Sequence, residues 1–153
     1  MLSEDIVYFF KHLSFTIVTT QDNQGYPHNA CKGIVKITPE GKVYLLDLFK
    51  KNTYKNLEAN NFISVTGIDE NKFEGYCLKG KARIEDADKL EHDVVEAWEK
   101  KINSRITQRV INSVQGKKGH ISHPEALLPK PKYLIVMDVD EVIDLTPAHI
   151  KIK

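Results

Sequence analysis

The sequence predicts a mainly β fold with flanking helices, a small antiparallel barrel of six strands. Three observations point there. Short β-branched and apolar segments follow one another in the first half, separated by Gly, Pro, Asn and Asp turn signals. Residues 86–115 then hold helix formers and no Gly or Pro. After a breaker-rich stretch, one last strand-like run returns at 133–145.

Ser3 is placed to cap a first helix, because Glu4 and Asp5 follow in its first turn and Ile6, Phe9, Phe10 and Leu13 recur at helical spacing. That helix is expected to cover one end of the sheet. "FTIVTT" (15–20) is strand one, "DNQGYP" a turn, and "HNACKGIVKI" strand two. "TPEGK" turns the chain into strand three, "VYLLDLF" (43–49). A helix of about two turns opens at Thr53 and runs to about Asn60, too short to be stable alone. "FISVTGI" (62–68) and "GYCLKGKARIE" (75–85) are strands four and five, and 133–145 is strand six.

In the helical stretch 86–116, Leu90, Val94, Trp98, Ile102, Ile106, Val110 and Val114 recur every fourth residue. On a straight helix that stripe rotates by about 40° per step and cannot stay on one core. Two helices with a break at Asn103 or Ser104 are therefore expected, covering the barrel. "GKKGHISHPEALLPKPK" reads as a loop. A single domain, 1–153, is expected from the length.

Hydrophobic residues make up 41% of the chain and no apolar run nears the roughly 20 residues that span a bilayer. The N-terminus carries acids before its apolar residues and lacks a small-residue cleavage site, so a cytoplasmic location is expected. Net charge is +1, from 22 basic and 21 acidic side chains, which argues against a broad nucleic-acid or membrane surface. Any anion site must be local. Cys31 and Cys77 do not form a disulfide framework and read as buried thiols. With His120 and His123 on a loop, they are not expected to ligate zinc.

The local candidate is "LLDLFKKNTYKNL" (45–57), where Lys50 and Lys51 stand at the mouth of the short helix. A helix start has unpaired backbone N–H groups and a partial positive charge. With the Thr53 hydroxyl, a lysine ammonium and the Asn56 amide it can hold a phosphate.

Together with "FTIVTT", "GYPHNACKGIVKI" and "GYCLKGKARI", this stretch resembles the FMN-binding split-barrel proteins related to pyridoxamine 5′-phosphate oxidase. The resemblance covers roughly residues 15–85 in order, with 133–145 in its expected place. It implies a six-stranded split barrel and a homodimer, with FMN held in a groove between subunits and a small-molecule redox partner. It assigns Lys50, Lys51, Thr53 and Asn56 to the phosphate, and His28, Asn29, Ala30 and Lys32 with Leu46, Asp47 and Leu48 to the flavin ring. Lys32 or Lys79 would stabilise negative charge on the reduced ring. Many members have Lys before the threonine where this chain has Asn52, and a polar amide where it has Cys77. No acid–base pair stands out, and His28 is the one candidate proton donor. Some split-barrel relatives bind haem, which would give His120 and His123 a role. A non-catalytic flavin or haem carrier is the alternative reading.

Overall fold

The computed structural model describes residues 1–89, 92–116 and 132–150. In chain order the elements are α1 (Glu4–His12), β1 (Thr16–Gln21), β2 (Pro27–Lys32), β3 (Ile34–Ile37), β4 (Lys42–Leu46), α2 (Asn52–Ala59), β5 (Phe62–Asp69), β6 (Glu74–Asp86), α3 (His92–Val114) and β7 (Tyr133–Asp144). The strands form one seven-stranded sheet in the order β2-β1-β5-β6-β7-β4-β3, every neighbouring pair antiparallel.

The edge strands of that sheet are β2 and β3, and a single residue, Gly33, joins them in sequence. The sheet must therefore curl until its two edges meet at Gly33, which makes a barrel closed at that corner and split elsewhere. Here the expected second strand, "HNACKGIVKI", becomes two, and six expected strands are seven. Glycine suits a point where the chain leaves one edge for the other. The Leu46 amide donates to the Gly33 carbonyl at 3.0 Å and ties the corner to β4. Gly25 and Gly41, with φ of +90° and +91°, close the turns into β2 and β4.

The core lies inside the curl. Val18, Val43, Leu45, Val65, Leu78, Ile135 and Met137 are fully enclosed, and α1 adds Val7, Phe9 and Phe10. Ser3 caps α1 as expected, accepting from the Ile6 amide. A side chain at Gly67 would meet Phe9, Phe10 and Leu13, so a bare patch of β5 admits the helix.

Three expectations are corrected. The third strand ends at Leu46 rather than residue 49, so Asp47, Leu48 and Phe49 form the approach to α2. The short helix starts one residue earlier than Thr53, with Lys51 at the capping position and no side-chain cap. Most importantly, α3 is one helix of 23 residues without a break at Asn103 or Ser104. Its apolar stripe does rotate off the core: Val94 is fully buried and Trp98 nearly so, whereas Val110 is 44% and Val114 83% exposed. The helix resolves the drift by running past the barrel, not by bending. No helix among the described residues is long and apolar enough to cross a membrane.

Candidate functional site

The corner at Gly33 gathers polar side chains from four elements. Lys32, the last residue of β2, sends its ammonium to Asp47, just past β4, at 2.9 Å, and both side chains are less than a tenth exposed. The second carboxylate oxygen of Asp47 and the hydroxyl of Tyr133, the first residue of β7, are both buried. Neither meets a partner in strict hydrogen-bond geometry among the described residues, but the two groups lie close enough for Asp47 to act on the Tyr133 phenol as a hydrogen-bond acceptor. Burial first, and then the Asp47 carboxylate, hold the Tyr133 phenol well above its usual range. Buried polar atoms are nearly always paired in native folds, and the pairing open to these two is with each other.

α2 starts beside it. The Lys50 ammonium lies 4.9 Å from the ring centre of Tyr54 and 5.5 Å from that of Tyr133, and those two rings meet edge-on at 5.0 Å. Lys51 is exposed at the capping position. The first turn of α2 contains no acidic residue, so no acid within the helix opposes its backbone N–H groups and dipole. Thr53 is buried, at 4% exposure, one residue into the helix. Buried Asn56 donates to the Thr20 hydroxyl at 3.0 Å and fixes the helix to β1.

Strand alternation divides the ring-contacting residues expected from β2. His28, Ala30 and Lys32 pair with Thr20, Val18 and Thr16, the buried positions of β1, and so face inward. Asn29 and Cys31 face outward and are exposed, which corrects the reading of Cys31 as a buried thiol. Asn29, Thr19, Ser64, Lys79 and Glu141 are successive register partners, forming one row across five strands of the outer face. Lys79 is thus three strands from Asn29, about 14 Å at normal strand spacing, and it pairs with Glu141 at 3.4 Å. Leu46 and Leu48 flank Asp47 half-buried. The structure therefore brings Lys32, Asp47, Lys50, Lys51, Thr53 and Asn56 to one region and sets Asn29 and Lys79 on the outer face. His120 and His123 lie outside the described residues.

A sequence profile of the pyridoxamine 5′-phosphate oxidase family matches residues 2–144. The chain belongs to this family. Comparison with curated proteins finds no match. Among solved structures, the chain is similar to HupZ of Group A Streptococcus, with a TM-score of 0.67 at 18% identity over 95% of each chain. It is similar to a protein of Clostridium acetobutylicum, related to general stress protein 26 and described within the pyridoxinephosphate oxidase family. That TM-score is 0.59 at 17% identity, over 95% of this chain and 94% of the other. An FMN-binding protein of Syntrophomonas wolfei gives 0.61 at 10% identity, over 92% and 84%. At these identities the likeness is one of fold, and it agrees with the curled antiparallel sheet described above.

Sequence reasoning in the family's terms missed Tyr133, Tyr54 and Thr20. Tyr133 comes from the far end of the chain and reaches the corner only because β7 lies beside β4, with Leu134 opposite Leu46. Nothing local to "PKYLIV" signals that role.

Proposed function

We propose that the protein binds FMN at the Lys32–Asp47 corner and the start of α2, as a small flavin oxidoreductase working on a small-molecule redox partner. The observation that carries this reading is the uncapped start of α2, flanked by Lys50 and Lys51 and free of first-turn acids. These residues fit the group. Lys50, Lys51 and the first N–H groups of α2 would hold the phosphate, and Thr53 would add its hydroxyl. The inward residues of β2, with Asp47 and Tyr133, would meet the polar edge of the ring. When bound, the flavin supplies hydride or electron transfer, and the protein supplies position and electrostatics.

Lys32 does not act as an isolated cation here, because Asp47 neutralises it. Its ammonium has three donors and the pair uses one, so it can still orient an acceptor on the ring while contributing little net charge. A homodimer with FMN at the interface is part of the same reading. Ile17 and Phe62 leave apolar surface on the outer face of β1 and β5, at 39% and 60% exposure, which suits contact with a second copy.

Titration of the purified protein with FMN and with riboflavin tests the phosphate assignment. FMN should bind more tightly, and Thr53→Ala and Lys51→Ala should each weaken FMN by about 1.5–3 kcal/mol while sparing riboflavin. Equal losses for both flavins would remove the phosphate from the start of α2. Turnover then separates enzyme from carrier. An oxidoreductase accelerates oxidation of a nicotinamide or similar donor when FMN is bound, and a carrier binds FMN without doing so. A Soret band in the purified protein would instead favour haem.

A further inference from the structure

A second cleft lies between the C-terminal end of α1, strand β3 and the middle of α3. It measures about 710 Å3 and shares no lining residue with the Lys32–Asp47 corner or the start of α2. Its charged lining is basic: Lys11, His12, Lys36, Lys100, Lys101 and Arg105, with no carboxylate among the described lining residues. For a chain of net charge +1 this is a marked local concentration of positive charge. Leu13 and Val35, both half-buried, give the same cleft an apolar wall.

Four of these six side chains are held in place. Lys101 donates to the Ile34 carbonyl and Arg105 to the Ser14 carbonyl, so both side chains bridge α3 to the barrel. Lys36 pairs with Asp93, which lies outside the lining. His12 uses its Nδ1 on the Tyr8 carbonyl at 2.8 Å, leaving the other ring nitrogen for a further contact. One carbonyl each leaves Lys101 and Arg105 with further N–H donors.

Lys101 and Arg105 are also one helical turn apart, a spacing at which like charges repel. Burial, and then the charge of Arg105, lower the Lys101 ammonium to about 8. The fold thus keeps two half-buried cations side by side with no acid among the described residues of the cleft to offset them.

We propose that this cleft binds a small ligand carrying a diphosphate or longer phosphate chain, with the phosphates against Lys100, Lys101 and Arg105 and any organic part on Leu13 and Val35. Phosphate oxygens accept from ammonium and guanidinium together, and several anionic oxygens would offset the crowded charge. The size lies within the range of about 300–1,000 Å3 usual for small-molecule sites. The diphosphate can come free or as part of a nucleotide.

Calorimetric titration with ADP, inorganic pyrophosphate and adenosine tests the proposal, and Trp98 fluorescence gives a second readout. Trp98 is the only tryptophan of the chain and lines a small gap with Lys101 and Arg105. ADP should bind at least about tenfold more tightly than adenosine, the equivalent of roughly one charge-assisted hydrogen bond. Lys100→Glu and Lys101→Gln should each weaken ADP by about tenfold or more. Lys100 is exposed, so its reversal tests charge without removing a bridge to the barrel.

Pyrophosphate matching ADP would identify the phosphate chain as the whole ligand, and weaker pyrophosphate would identify a nucleotide; either supports the site. ADP binding no better than adenosine, or unchanged in both variants, would overturn it. FMN titration of Lys100→Glu keeps the two sites distinguishable. Unchanged preference for FMN over riboflavin is expected, and loss of that preference would place the FMN phosphate in this cleft and overturn the proposal of a second site.

Discussion

Lys32 and Asp47 form an ion pair of 2.9 Å whose side chains are only 9% and 6% exposed. The pair joins the end of β2 to the residue after β4, across the corner where the barrel closes. An ion pair this deep stabilises little compared with an apolar replacement, but removing one partner strands a buried charge. Asp47→Ala should therefore cost about 3–5 kcal/mol. The double variant Lys32→Met with Asp47→Leu should recover much of that loss. Urea unfolding of the singles and the double measures it, and a single-variant cost below about 1 kcal/mol would mean that the pair behaves as if solvated.

The buried amide of Asn56 holds α2 to β1 through the Thr20 hydroxyl at 3.0 Å. Asn56→Leu removes the donor and leaves that hydroxyl without it, at a cost of about 1–3 kcal/mol. Because α2 carries Lys51 and Thr53, the same change should weaken FMN by shifting the helix, with riboflavin less affected. Thr20→Val removes the same bond from the other side and should reproduce both effects. An unchanged FMN affinity in both variants would show that α2 is positioned by its other contacts.

Much of this corner was legible in the sequence, and what was not has physical causes. The short helix, Lys50, Lys51, Thr53 and Asn56 could be found because turn chemistry and helix spacing are local. Tyr133 was invisible because its place depends on strand order, which brings the last strand between β6 and β4. Register places Lys79 and Asn29 on the outer face, a placement that motifs read one strand at a time do not show. The seventh strand hid in Gly33: a lone glycine inside a strand pattern marks a bend, and only the pairing of β2 and β3 with different partners shows that it joins the two sheet edges.

The continuous α3 makes a direct prediction about where its stripe leaves the core. Val94 is fully buried against Tyr44, Leu134 and Val136, whereas Val114 is 83% exposed. Val94→Ala should cost about 1.5–3 kcal/mol, and Val114→Ala should stay within about 0.5 kcal/mol. Thermal or urea unfolding of the two variants decides it. Comparable losses at both positions would mean that the far end of α3 is covered in solution, as contact with a second copy would require.

Lys101 gives the molecule a pH signature. Its folded-state ammonium is lowered to about 8 from an ordinary 10.5, because burial and the neighbouring Arg105 disfavour the charge. Between those values the unfolded chain holds a proton that the folded chain has released, so stability rises with pH across the window. The contribution is fully present above the unfolded value and is lost as pH falls through about 8. Lys101→Gln cannot titrate, so its stability should lack this rise. Other groups that titrate there, including Tyr76 at about 12, are common to both proteins and cancel in the difference. Unfolding in urea at intervals from pH 7.5 to about 10.5 should therefore show wild type gaining on Lys101→Gln with each step. Parallel curves would mean that Lys101 keeps an ordinary proton affinity, and with it that the cleft beside α3 is open enough to water to screen its crowded charges.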